Sequence, residues 1–145
     1  MRCLIIIPAY NEAANIEKVV DNLVQNYPQY DYLVINDGST DDTGAVCRKK
    51  HYQYVNLPIN MGIGGAVQTG YCYAKENDYD AAVQIDGDGQ HDVSFLAEML
   101  KVIEEGQADV VIGSRFVEKE GFQSSSLRRI GIRFLSFLGW LLTGI

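Results

Sequence analysis

The sequence predicts an α/β domain built on a mostly parallel, doubly wound sheet with flanking helices. Short apolar runs recur along the chain, segments with helical spacing separate them, and almost every run ends in a polar cluster. Several runs are apolar without alternation, as strands covered on both faces require. Strand–helix repetition at this spacing selects parallel crossovers.

The candidate strands are residues 3–7, 32–35, 54–57, 81–85 and 109–112. Between the first two, Ile16, Val19, Val20, Leu23 and Val24 make a helical stripe that Tyr27 and Pro28 close. Ser39 followed by Asp42 has the form of a capping pair for a short helix over 41–50. Val67, Tyr71 and Ala74 mark a third, weaker helix. Phe95, Leu96, Met99, Leu100 and Ile103 mark a fourth, with Gly106 placed to stop it.

With 145 residues, 47% hydrophobic and 21% charged, the chain fits one globular domain. Its 12 basic and 19 acidic residues leave a net charge of −7, which argues against nucleic acid as a partner. An anionic ligand must then be held by local donors or a metal. Cys3, Cys47 and Cys72 are odd in number and show no CxxC spacing, so they read as free or buried thiols of a reducing compartment. The run 3–7 is too short for a signal-peptide core, and no apolar stretch reaches the roughly 18–20 residues of a membrane span. A cytoplasmic location is the expectation.

In a doubly wound sheet, ligands bind beyond the carboxyl ends of the strands. The clusters there are Pro8-Ala9-Tyr10-Asn11-Glu12, Asn36-Asp37-Gly38-Ser39, Asn60 to Ala66 with its glycines, Asp86 to His91, and Gly113-Ser114-Arg115. Singly, each has a plain reading: Asn11-Glu12 can start a helix, Asp37-Gly38-Ser39 can be a turn, and the glycines can serve close packing. The glycine cluster is not a dinucleotide fingerprint, because its third glycine is misplaced, and it lacks the P-loop lysine. Asp86 and Asp88 are more specific. Two residues apart at a strand end, both carboxylates face one point, and like charges held so close repel. A divalent cation removes that conflict and still coordinates phosphate oxygens, while Gly87 and Gly89 permit the tight turn.

In order and spacing these motifs resemble family 2 glycosyltransferases, and among them the dolichyl-phosphate mannose synthase and polyprenyl-phosphate glycosyltransferase branch. The resemblance spans 3–145 and implies a GT-A-like fold that binds a nucleotide diphosphate-sugar, with UDP- or GDP-sugars the expected donors. It implies that Pro8, Tyr10, Glu12, Ile35 and Asp37 line the base and ribose pocket, with Gly87 and Gln90 also on the donor. Asp86 and Asp88 would be the metal ligands, for magnesium or manganese, and would act in catalysis with Arg115 near the donor phosphates. His91 fits either packing or a contact to metal or substrate.

The implied reaction is sugar transfer with inversion, to a polyprenyl phosphate at the inner face of the membrane. A saccharide hydroxyl in polysaccharide assembly is the alternative acceptor. A nucleotide-binding module without turnover is the reading from another class. A nucleotidyltransferase would show a glycine-rich loop with Arg and Lys after the first strand, which is lacking here. No general base is assigned, since a lipid phosphate is already largely ionised.

The expected division is a donor-binding core over 1–121 and, over 122–145, the start of an acceptor- or membrane-side segment whose remainder is missing. Arg128, Arg129 and Arg133 precede an almost uninterrupted apolar run with Trp140. Such a helix, apolar beyond one stripe, needs a partner: later chain, a second copy through 127–145, or a membrane surface. The arginines suit either a lipid phosphate or the basic flank of an amphipathic helix.

Overall fold

A computed structural model describes residues 1–87, 89 and 92–113. Four strands form one parallel sheet in the order β3-β2-β1-β4. They are β1 (Cys3–Ala9), β2 (Asp31–Asn36), β3 (Tyr54–Asn56) and β4 (Ala81–Gln84). The crossovers are α1 (Ile16–Asn26), α2 (Thr43–Lys49) and α3 (Gly62–Glu76), and a short 3₁₀ turn leads into α4 (Leu96–Glu104).

All of β1 is buried, as its unbroken apolar run requires. It pairs with β2 from Leu4 against Asp31 to Ala9 against Asn36, and with β4 from Cys3 against Ala81 to Ile6 against Gln84. The alternation of side chains along it serves two cores. Ile5, Ile7 and Ala9 pack with Ile16, Val19, Val20 and Leu23 of α1 and Cys47 of α2. Leu4 and Ile6 pack on the other face with Leu33, Ile35 and the Ala66 and Ala74 positions of α3.

The α1 stripe is buried at Ile16, Val19, Val20 and Leu23, whereas Val24 at its margin is exposed. In α3 the face against the sheet is Ala66, Gly70 and Ala74, and Tyr71 points outward. Small residues let the helix approach closely: a Cβ on Gly70 would lie 2.4 Å from Ile6 Cγ2. Gly106, at φ +67, follows α4 as its stop.

The expected capping pair is corrected. Asp42 stands at the N-cap of α2 without a side-chain bond. The neighbouring Asp41 instead takes the Thr43 N–H at 2.9 Å, and Ser39 bonds to Asn11. The expected strand over 109–112 is also corrected. Those residues carry no strand, and Val110 and Ile112 are 74% and 82% exposed. An apolar run becomes a strand only where a neighbour accepts its ladder, and among the described residues this one has no such neighbour.

The chain divides into two compact units, Met1–Asp109 and Val110–Ile145. The expected boundary at 121/122, the three arginines and the apolar 127–145 segment lie outside the described residues. No helix among the described residues is long and apolar enough to cross a membrane. Cys3 and Cys47 are buried, Cys72 is exposed, and all are free thiols. Burial pushes the Cys3 thiol up to about 11, so it stays neutral and unreactive near neutral pH.

The Gly70 contact is testable. Gly70→Ala gains about 1 kcal/mol of helix propensity, but its methyl must displace the fully buried Ile6, an overpacking worth about 1–3 kcal/mol. Gly70→Val adds two further carbons to the same contact. Urea unfolding should therefore show a lower midpoint for Gly70→Val than for Gly70→Ala. A Val variant as stable as wild type would mean that α3 does not sit this close.

Candidate nucleotide-sugar site

Chain order places a crevice at the carboxyl end of the sheet. From β1 the chain winds outward through β2 to β3, then returns to lay β4 on the other side of β1. The reversal lies between β1 and β4, the switch point where ligands of open α/β sheets bind. Successive peptide groups of β1 point alternately to its two neighbours. The Ile6 carbonyl accepts from Ile85 N–H at 3.0 Å on the β4 side, and the Ala9 carbonyl accepts from Asp37 N–H at 2.9 Å on the β2 side. Pro8 therefore faces β4 beyond Gln84, the last paired residue there. A proline in a central strand removes a ladder donor, but here none is required. The β1–β4 ladder, whose last paired residue on the β1 side is Ile6, has ended before Pro8.

Gly87 closes the floor of that crevice. A Cβ there would lie 3.2 Å from the Pro8 carbonyl oxygen and 3.5 Å from Glu12 Cγ, so the turn after β4 presses on the turn after β1. Asp86, just before it, is half-buried, and its Oδ1 accepts from Gln84 Nε2 at 3.1 Å. A cleft of about 340 Å³ runs beside this turn, with Asn15, Lys18, Asn22, Asp86 and Gly89 among its lining residues. A more open hollow of about 430 Å³, bordered by Tyr71, Lys75 and Tyr79, lies at the amino end of β4, remote from the crevice.

On the β2 side, Asp37 is only 3% exposed. Its Oδ1 accepts the Met61 N–H at 2.7 Å, which ties the end of β2 to the start of α3. Its Oδ2 has no hydrogen-bond partner among the described residues, leaving one anionic oxygen for another donor. Gly38, at φ +63, must be glycine: a Cβ would lie 2.5 Å from the Asn60 nitrogen.

The loops after β1 and β2 are stitched together. Glu12 N–H donates to Thr43 Oγ1 at 2.9 Å, and Ala13 N–H to Asp41 Oδ2 at 3.1 Å. Thr43 Oγ1 in turn donates to Asp41 Oδ1. The Glu12 side chain accepts from Asn15 Nδ2 at 2.8 Å, and its carbonyl accepts from Ile16 N–H at the first turn of α1.

The other expected site residues fall as follows. Pro8 is buried and Tyr10 is exposed at the rim, close in sequence to Glu12. Ile35, expected among the pocket-lining residues, is 0% exposed within the α3-side core, so it supports the edge from beneath and offers a ligand no side-chain surface. Asp88, Gln90, His91 and Arg115 lie outside the described residues. Sequence reasoning passed over Thr43, which is fully buried between the loops, and named Asn36, 6% exposed, only as part of the cluster after the second run. Asn36 donates to Asn56 Oδ1 at 2.7 Å, while its own Oδ1 finds no donor among the described residues. An asparagine at the end of an otherwise apolar strand was the available signal.

The chain belongs to glycosyl transferase family 2, whose family model matches residues 4–142. The fold is the GT-A fold. A UDP-N-acetylglucosamine–dolichyl-phosphate N-acetylglucosaminyltransferase of Methanococcus voltae is 33% identical, over 97% of this chain and 62% of the relative. A polyprenol monophosphomannose synthase of Mycolicibacterium smegmatis is 34% identical, over 80% of this chain and 46% of the relative. Among solved structures, a mannosyltransferase of Pyrobaculum calidifontis in complex with GDP-Man and Mn2+ superposes with a TM-score of 0.54 at 27% identity, over 60% of this chain and 27% of that one. The chain thus spans about half the length of the curated relatives it matches.

The loop stitch predicts a pH effect. Burial works against the Asp41 charge, but hydrogen bonds from Thr43 and Ala13 outweigh it and lower its pKa from the ordinary 3.8. A depressed carboxylate contributes stability that is full above the unfolded pKa and fades as pH falls through the folded one. Stability measured by urea unfolding should therefore drop below about pH 4 with a component that Asp41→Asn removes. An unchanged acid limb in that variant would take Asp41 out of the stitch.

Proposed function

We propose that this chain is the donor-binding part of a glycosyltransferase that moves a sugar from a nucleotide diphosphate carrier to a polyprenyl phosphate, with inversion at the transferred carbon. The observation that carries the reading is the meeting of the β1, β2 and β4 ends at one switch point, in a chain of family 2. Two relatives are named for transfer to or synthesis on dolichyl or polyprenol phosphate, and a solved structural relative holds GDP-Man and Mn2+.

In this reading Tyr10 at the rim and Asp37 at the end of β2 receive the base and ribose. The Asp37 oxygen left over by Met61 accepts a base or ribose donor. Pro8 stands where the β1–β4 pairing has ended, at the strand edge where the ligand is proposed to bind. Asp86 and Asp88 supply oxygen ligands for magnesium or manganese; the half-buried Asp86, oriented by the neutral Gln84 amide, suits a hard cation. When bound, such an ion acts as a Lewis acid for charge developing on the departing diphosphate. The family resemblance alone assigns Gln90 beside the metal and Arg115 to the donor phosphates. An acceptor phosphate is already ionised and asks no base of the chain. In the same reading the protein works at the cytoplasmic surface of the membrane.

A thermal-shift panel of UDP-, GDP- and dTDP-sugars on the full-length protein, with and without manganese, tests the donor assignment. One nucleotide family should raise the melting temperature, and only with the metal. Asp88→Asn should abolish the metal-dependent part. Asp37→Asn keeps an acceptor for Met61 but loses the charge, so nucleotide binding should weaken by about 1–3 kcal/mol in calorimetry. No nucleotide shifting the wild type would end the proposal.

A further inference from the structure

Asn11 stands just past β1 at φ +58, where L residues rarely sit and asparagine is tolerated better than most. That conformation lets one residue bond in two directions. Its own N–H donates to Ser39 Oγ at 3.0 Å. Its side-chain Oδ1 accepts from Thr40 N–H at 2.9 Å, Asp41 N–H at 3.3 Å and the Thr40 hydroxyl at 3.3 Å. Two successive backbone N–H groups converging on one oxygen resemble the nests in which proteins hold anions. Here the occupant is a neutral amide from the same chain. Asn11 is exposed, so its own burial does not demand these bonds. What they accomplish is a join between residues 28 to 30 positions apart.

The two joined loops are the ones that flank the crevice. Tyr10 and Glu12 adjoin Asn11 on one side, and Asp37 and Gly38 precede its partners on the other. We propose that Asn11 is a positioning residue for nucleotide binding: by filling the Thr40–Asp41 nest it fixes the distance between the loop carrying Tyr10 and the loop carrying Asp37. It does so without touching the donor. The inference rests on the donor-site reading given above, and it adds a residue which that reading leaves out.

Three variants separate the acceptor from the backbone requirement. Asn11→Gly keeps the positive φ and loses the acceptor, Asn11→Asp keeps both, and Asn11→Ala loses both. Binding is measured by calorimetry on the full-length protein, with UDP and with GDP in the presence of manganese. Asn11→Gly should bind the preferred nucleotide about tenfold more weakly, the scale of one or two net hydrogen bonds. Asn11→Asp should stay within about threefold of wild type, since a carboxylate fills an N–H nest at least as well. Asn11→Ala should match Gly in affinity but unfold at lower urea, because only Ala adds backbone strain. Steady-state assays of the Gly variant should raise the donor KM and leave kcat unchanged.

Wild-type affinity in a folded Asn11→Gly protein overturns the proposal. Should that variant not fold, Ser39→Ala and Thr40→Val loosen the same joint from its other side, and unchanged affinity in both overturns it equally. A wild type that binds neither UDP nor GDP defeats the donor-site reading itself, and this inference with it. Failure of the variants alone leaves the donor-site reading standing.

Discussion

The structure depends on the complete burial of one strand. β1 has neighbours on both edges and helices on both faces, so every residue from Cys3 to Ala9 is withdrawn from water. Seven consecutive buried residues leave no place for charge along the strand. Polarity can begin only where the pairing ends, and it begins at once, with Tyr10, Asn11 and Glu12. The same constraint acts on β2, whose buried Val34 and Ile35 give way to Asn36 and Asp37. Chemistry is confined to one edge because the rest of each central strand is committed to packing.

That edge belongs to a chain with a net charge of −7, and the proposed donor is anionic. The local construction eases this conflict. Backbone N–H groups of Thr40, Asp41 and Met61 point into the loops there and are held by side-chain oxygens. Carboxylates serve as acceptors for the backbone: Asp37 for Met61, and Asp41 for Thr43 and Ala13. Some of the acidic surplus is therefore structural. It holds loops in place.

The strands and helices were legible because the patterns that announce them are also what buries them. Cys3 to Ile7 reads as a covered strand, and so it is, but its true end at Ala9 was hidden by Pro8. A proline reads as a stop until the direction of its missing N–H is known. The α1 stripe was clear because its buried residues are large. The face of α3 was faint because it buries Ala66, Gly70 and Ala74, whose small side chains carry little hydropathic signal. The run 109–112 looked like the other strands, and pattern alone cannot supply the neighbour that makes a strand. At the site, Asp37 and Asp86 announced themselves by position after apolar runs. The places taken by Asn11, Thr43 and Ile35 were not legible, since a positive φ, a bond across some 30 residues and the face on which a side chain falls are tertiary facts.

The joint between β1 and β4 has a consequence for how the molecule assembles. β1 meets β2 after a short excursion through α1, whereas the bond from Arg2 N–H to the Asp80 carboxylate, just before the β1–β4 ladder, joins residues 78 positions apart. Closure entropy rises with loop length, and β4 offers only a four-residue ladder in return. Arg2 adds to that short joint by stacking 4.3 Å over the Tyr79 ring and donating to the Asn77 carbonyl. The switch-point crevice exists only once this distant closure is made. A ligand that spans the ends of β1 and β4 binds the closed sheet and not the open one, so it stabilises the sheet at its most expensive seam.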